Sequence, residues 1–281
     1  MKMRIREATV NDIGSFVQLV QDNYPMTEAE LISVYNQSSL MLTFDDLNIG
    51  FASIICYDQS NQIDKSVIKI YVNPAYRRNG YGSLLIKELE KKIQSMKKQQ
   101  IKIDNIISEF DLASFAMKLG YDYWYRTHRM EYKGNIFEEI LVCLDDYDER
   151  YYHSVSQLSA DAFYQTRKDN DIEPYAIPES ESDKEKLNKH KDEYKLLLRN
   201  QELIGVVKIT NGNIALAAVG KKYRNKGYGT ELIKYGVNTI LSNGYDAVRL
   251  HVMDTNKDAR RLYEQLGFVK VSTVEAYRKK L

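Results

Sequence analysis

Cysteine is nearly missing from this chain: Cys56 and Cys143 are the only two in 281 residues. So distant a pair makes no metal cluster by itself, and it suits a reducing, cytoplasmic setting better than a disulfide scaffold. Both thiols are expected to be buried. An excess of charge of one sign is missing too, since 40 Lys+Arg face 39 Asp+Glu. That balance argues against a chain whose main business is coating nucleic acid. Long apolar runs are also lacking; Phe51–Tyr57 and Ile214–Val219 are typical of the longest. None could span a bilayer, and Met1-Lys2-Met3-Arg4-Ile5-Arg6 lacks the apolar core of a signal peptide, so no membrane partner is expected. What is present is ordinary for a globular protein: 43% hydrophobic and 28% charged residues,. The length suits two domains of about 140 residues. Tyrosine is abundant, with 22 copies, so the mere presence of one carries little meaning.

The chain repeats itself. Val72–Ile93 laid over Val219–Ile240, an offset of 147, gives ten identities in 22 positions, among them Tyr76, Arg77, Gly80, Tyr81, Gly82, Leu85 and Ile86. The same offset carries Leu119-Gly120-Tyr121 onto Leu266-Gly267-Phe268. Two copies of one fold follow, 1–134 and 135–281, joined near Lys133-Gly134-Asn135.

Each copy reads as mixed α/β. In the first, Arg4–Glu7 alternates as a strand, and Asn11–Gln21 has helical spacing. Thr27–Tyr35 is expected to be a short helix with a capping box at Thr27 and Glu30. Leu40–Phe44 and Ile49–Tyr57 form a hairpin turning at Asp45–Asn48. Strand Val67–Val72 leads through a glycine-rich turn into helix Ser83–Lys97, followed by strand Ile101–Ile107, helix Leu112–Leu119 and a strand pair over Tyr121–Tyr132. The second copy repeats this order, with a helix over Arg150–Thr166, strands Tyr194–Arg199, Leu203–Thr210 and Ile214–Val219, and a charged insertion, Asp169–Asp192, expected to be a solvated loop or lid.

Chemistry concentrates at the two turns. Arg77-Arg78-Asn79-Gly80-Tyr81-Gly82 and Arg224-Asn225-Lys226-Gly227-Tyr228-Gly229 lie where a strand ends and a helix begins. The first turn of a helix has unpaired N–H groups and a partial positive charge, which attract phosphate. Glycine removes the Cβ that would block close approach. A dinucleotide fingerprint fails, because Leu85 and Leu232 stand where its third glycine belongs,. A phosphate-bearing ligand is expected at Arg77 to Ser83 and at Arg224 to Thr230 (Tyr228 and Thr230 matching Tyr81 and Ser83).

Over nearly its full length the chain resembles two tandem domains of the GNAT superfamily of N-acetyltransferases, an architecture similar to that of mycothiol synthase, with no substrate implied. The turns resemble the family's Gln/Arg-x-x-Gly-x-Gly/Ala acyl-CoA loop. Asn256-x-x-Ala259-x-x-Leu262-Tyr263-x-x-Leu266-Gly267-Phe268 resembles its helix after the fifth strand. The resemblance implies two α/β domains, each a mixed, mostly antiparallel twisted sheet flanked by helices, with acetyl-CoA as cofactor and a small-molecule or peptide amine as acceptor. It implies that Tyr263 is the general acid for a departing thiolate, that Asn256 bonds the cofactor, and that Tyr71, Val72, Ala218 and Val219 contact it at the strand ends, the Val219 N–H polarising the thioester carbonyl. As a helix the segment is also self-consistent: Thr255 caps, Ala259, Leu262 and Leu266 share a face, and Gly267 closes it.

The first copy departs at these places, with Glu109 for Asn256 and Ala116 for Tyr263. Alanine donates no proton, so this copy is expected to bind acyl-CoA without turnover, to serve as a structural half, or to use Tyr123 or Tyr125. A general base is harder to place. An alkyl ammonium of pKa 10.4 costs about 4.6 kcal/mol to deprotonate at pH 7, yet Ile214–Val219 carries no acid, and the first copy's equivalent strand offers Lys69 and Tyr71. His251, Glu173, Asp145 and Asp146 stay open as bases, as does an acceptor of low pKa needing none. The alternative to an enzyme is a non-catalytic acyl-CoA-binding or partner module. RNA binding through Lys221, Lys222, Arg224 and Lys226 is disfavoured, because a cofactor phosphate explains those charges. A monomer (a pseudo-dimer of its two copies) or a homodimer is expected.

Overall fold

The computed structural model of the chain describes residues 2–24, 26, 28–35, 38–56, 65–96, 100–105 and 112–280. The described residues divide into two compact units: one holds those up to Trp124 together with Glu275–Lys280, and the other holds Tyr125–Val274. This division differs from that of the repeat, since residues 125–134 of the first copy lie in the second unit and residues 275–280 of the second copy lie in the first.

In the first unit, β1 (Met3–Glu7) pairs antiparallel with β2 (Leu40–Phe44), which turns through Asp45 and Asp46 into β3 (Leu47–Cys56). Both aspartates have positive φ, 46° and 66°, the left-handed pair that a tight hairpin requires,. β3 pairs antiparallel with β4 (Lys65–Val72). β4 runs parallel to β5 (Gln100–Asn105), and β5 is antiparallel to the end of β12 (Val269–Lys280), through Tyr277↔Ile103 to Lys280↔Gln100.

Strand alternation sorts the apolar side chains onto two faces. Met41, Phe51 and Tyr71 join α1 (Ile13–Gln21) and Leu31 of α2 (Glu28–Ile32) in one buried cluster. Leu42, Ile54, Ile68 and Ile70 meet Leu85, Ile86, Leu89 and Ile93 of α3 (Tyr81–Ser95) on the other face, with Ala116 of α4 (Ala113–Lys118). Burying each such α3 side chain contributes about 1.5–3 kcal/mol. The capping box expected at Thr27 lies outside the described residues, as do Ile106 and Ile107 of the expected strand and Lys97 of the expected helix. The strand pair expected over Tyr121–Tyr132 is instead one eleven-residue strand, β6 (Asp122–Tyr132).

The second unit has the strand order β7 (Asp145–Asp146), β8 (Tyr194–Arg199), β9 (Glu202–Thr210), β10 (Asn213–Val219), β11 (Val248–Met253), β6. Two-residue hairpins at Asn200-Gln201 and Asn211-Gly212 again use left-handed residues,. α7 (Tyr228–Ser242) packs Leu232, Ile233, Val237 and Ile240 on one face, and α5 (Tyr152–Asp169) packs Val155 and Leu158 on the other.

The insertion at 169–192 is more than a loop. Ser180 caps α6 (Glu181–Lys189), its hydroxyl accepting the Asp183 N–H, so the charged run is a helix with its polar face in water,. The joining segment is pinned to α7: Asn238 bonds both the N–H and the carbonyl of Phe137 (2.7 and 2.8 Å), and Glu231 accepts the Leu141 N–H. Cys143 is exposed, against the expectation of burial, because it lies on this irregular segment; the Cys56 side chain is outside the described set. Among the described residues no helix is long and apolar enough to cross a membrane.

Candidate acyl-CoA sites at two strand-to-helix turns

Both turns have one backbone plan. Arg78 and Asn225, then Gly80 and Gly227, have positive φ (66° and 60°, 81° and 83°), at matching places in the two copies. Left-handed residues two apart curl the chain so that its N–H groups face a common concavity, which suits anions. Gly80 and Gly227 are the N-caps of α3 and α7, and a Cβ on either would meet nothing within 4 Å, so the space beside the backbone is open. In the second unit Gly229 lies close to Leu262, in the first Gly82 close to Phe115, again equivalent positions.

The arginines do more than carry charge. Arg77 Nε donates to the Val72 carbonyl at 2.8 Å, and Arg224 Nε to that of Val219 at 3.1 Å. Each ties its turn to the end of the preceding strand. Asn79 Nδ2 donates to the carbonyls of Tyr76 and Arg77, tightening the first turn further. Tyr71 is buried, its hydroxyl donating to Leu19 O; burial pushes its pKa up to about 12. Its ring is mostly in the core, and the residue also lines a cavity beside the first turn. This cavity, of about 590 Å³, is lined among others by Arg77, Gly80, Ser83, Phe115 and Lys118. Near the second turn Lys226 lies over the Tyr223 ring, while Lys222 pairs with Glu202, which also accepts from the Tyr223 hydroxyl.

The two units differ in the strands beside the turn. β4 and β5 pair at six successive positions, Lys65↔Gln100 to Ile70↔Asn105. β10 and β11 pair at one, Asn213↔Arg249. The cause lies in β10: its register with β9 slips between Ile214 and Leu216, so Ala215 is an extra residue. A bulge bends the strand that carries it, and here the two parallel strands part beyond it. The β3–β4 register is regular.

α8 (Lys257–Gln265) follows β11. Its N-cap is Asn256, whose side-chain oxygen accepts the Ala259 N–H, and not Thr255 as expected. Thr255 Oγ1 instead accepts from Asn170 Nδ2 at 2.6 Å. Capping engages the Asn256 oxygen and leaves its amide N–H groups for a ligand. Gly267 closes the helix at φ 93°. Tyr263 is half-buried, 6.0 Å from the Phe268 ring, with no hydrogen-bond partner for its hydroxyl among the described residues. Burial pushes its pKa up to about 12, so it holds its proton at neutral pH. Ala116 stands at this place in the first unit, fully buried in the core; Glu109 lies outside the described residues.

Of the candidate bases, Asp145 and Asp146 are excluded by position. β7 is separated from β10 by β8 and β9, and Asp146 pairs with Lys195. Glu173 precedes Pro174, whose carbonyl accepts from Arg167 Nε at 2.6 Å. His251 lies on β11 beyond the last β10–β11 pair. Leu250 and Val252 face the α7 core, so His251 is on the opposite face, and it is exposed. Desolvation, then the like charge of Arg129 directly across the β6–β11 ladder, lowers its pKa. Two residues absent from the sequence reading stand out: His128 is buried, with Nε2 2.7 Å from Asp254 Oδ1, and Asp254 opens the turn into α8. Only strand pairing brings them together, so no local motif announces them.

Residues 153–268 match the Acetyltransferase (GNAT) family, and 36–123 match an Acetyltransferase (GNAT) domain. N-alpha-acetyltransferase 30 of Xenopus laevis is 48% identical over 59 residues, which make up 21% of this chain and 22% of that protein. The chain thus matches only about a fifth of that relative's length. Two solved structures share the fold: a GCN5-related N-acetyltransferase from Sphaerobacter thermophilus (TM-score 0.72, 16% identity, 99% of this chain and 95% of that one) and a tandem GNAT protein from the clavulanic acid biosynthesis pathway (0.70, 13%, 99% and 98%). With one such match in each repeat, this chain belongs to the GNAT acetyltransferase family, whose members use acetyl-CoA as acyl donor.

Proposed function

We propose that the second unit transfers an acetyl group from acetyl-CoA to a primary amine. The observation that carries this reading is the parting of β10 from β11 after a single pair, beside the open left-handed turn at Asn225–Gly227. The residues fit the cofactor: the α7 N-terminus, Arg224, Lys226 and the N–H groups through Thr230 would hold its phosphates, and Ala218, Val219 and Asn256 would hold its arm. Acetyl-CoA supplies an activated acyl carbonyl. The Val219 N–H would stabilise charge on a carbonyl oxygen in the gap. Tyr263 Oη keeps its proton and would donate it as a hydrogen bond to the leaving sulfur as negative charge develops there,.

His251 is the best-placed base, on the face opposite Tyr263, so proton removal and delivery are separated by the sheet. The cost of deprotonating the acceptor itself ranks the acceptor classes. An alkyl ammonium near 10.4 is a poor match, whereas an α-amine near 7.7–8.0 costs only about 1–1.4 kcal/mol to deprotonate at pH 7. A peptide α-amine is therefore the acceptor to try first, in keeping with the name of the Xenopus relative. The first unit, with β4 and β5 paired to Ile70 and Ala116 in place of an acid, reads as a non-catalytic acyl-CoA binder or a structural half.

The test is coenzyme A release from acetyl-CoA with a panel of free-α-amine peptides, lysine-bearing N-blocked peptides and polyamines. Release dependent on an α-amine and lost in Gly227→Glu supports the reading. Absence of both release and acetyl-CoA binding at millimolar concentration overturns it and leaves a non-catalytic module.

A further inference from the structure

The turn that carries Asn256 and launches α8 is pinned from two sides. On one, Asn170 Nδ2, at the end of α5, donates to Thr255 Oγ1 and to Thr166 O. On the other, His128 of β6 is 4% exposed, with Nε2 2.7 Å from Asp254 Oδ1 and Nδ1 3.0 Å from Thr273 Oγ1. A neutral imidazole satisfies both contacts, donating from Nε2 and accepting the threonine hydroxyl at Nδ1. Asp254 also receives Arg260 Nη1 at 3.3 Å, and its own N–H donates to Arg126 O at 3.0 Å. Arg260 lies on α8 three residues before Tyr263.

We propose that His128 is a positioning residue: through Asp254 and Arg260 it fixes the start of α8, and so the direction of the Tyr263 hydroxyl. By the repeat, His128 belongs to the first copy, at the position matched by Glu275 in the second. The acid of one copy is thus aimed by a side chain of the other, and the second copy is incomplete without β6. A misdirected catalytic group costs rate more than affinity. This inference rests on the catalytic role proposed for Tyr263, but the pinning itself is measurable without activity.

The experiment uses the full chain. In His128→Ala, amide hydrogen exchange across 254–265 is expected to accelerate at least about tenfold while α7 is unchanged. The kcat should fall about 10- to 30-fold with the acetyl-CoA KM within about twofold, and His128→Gln, which still donates to Asp254, should recover most of the loss. The loss should nearly vanish in a Tyr263→Phe background, where no proton is left to aim. Unchanged exchange, or an equal loss of kcat in both backgrounds, overturns the proposal. If His128→Ala does not fold, Asp254→Asn reads the same link from its other end. If the wild type releases no coenzyme A with any amine, the catalytic reading falls, and exchange alone then decides whether His128 pins α8.

Discussion

Arg77 and Arg224 stand 147 positions apart and make the same bond, Nε to the carbonyl that closes the preceding strand, Val72 in one copy and Val219 in the other. The guanidinium is a strut for the turn as well as a charge. Arg224→Lys keeps the charge and removes the strut, so it should weaken acetyl-CoA binding nearly as much as Arg224→Met, by about tenfold or about 1.4 kcal/mol. Calorimetric titration decides, and full rescue by lysine would show that charge alone matters.

Tyr263 keeps its proton because its surroundings are apolar. Tyr263→Phe should lower kcat by about 10²–10⁴ while acetyl-CoA affinity stays within about twofold. With a pKa near 12, the tyrosine should place no basic limb on the rate below about pH 10,. A wild-type limb near pH 8 abolished by the phenylalanine would contradict this.

The pH dependence at the acid side belongs to His251. Desolvation and the neighbouring Arg129 disfavour its imidazolium, lowering the pKa below the ordinary 6.5. The neutral, base-competent ring therefore persists to lower pH, and the acid limb of kcat/KM should fall below 6.5. Arg129→Gln removes the like charge and should move that limb upward. Stability has a matching sign: below 6.5 the unfolded chain takes up this proton first, so the native state loses stability as pH falls through that window. A limb unmoved by the substitution argues against His251 as the base.

The joining segment offers a prediction about stability. Glu231 is buried and accepts the Leu141 N–H. Glu231→Ala removes that bond at an exposed residue, Leu141, and should cost about 0.5–1.5 kcal/mol in urea unfolding, with Glu231→Gln, which still accepts, costing less. Equal losses in both would mean that the negative charge beside Lys234 matters more than the acceptor.

The repeat, the turns and the helix after the fifth strand were legible because each is written within about twenty consecutive residues. The hairpin turn at Asp45–Asn48 was legible for the same reason, and the chain turns there through Asp45 and Asp46. The cause of the parting of β10 from β11 was not: one extra residue, Ala215, shows only when β10 is counted against β9. Capping by Asn256 rather than Thr255 was hidden because either side chain suits the role, and Asn170, 85 positions away, claims the threonine. α6 was obscured by its charge, its apolar contribution to the core being Leu187. His128 and Asp254 needed the strand register itself.

β5 finds its outer partner in β12, where Ile103 meets Tyr277 across 174 positions of chain. On the ribosome, at 5–20 residues per second, that partner arrives roughly 9–35 s after β5 does. Until then the newborn first unit carries a raw sheet edge of unpaired amides and carbonyls, the kind of surface that recruits strands from other chains. Premature termination just after Val274 would leave that edge open for good while sparing the second unit, so a stop codon there would be felt first as aggregation of the amino-terminal half.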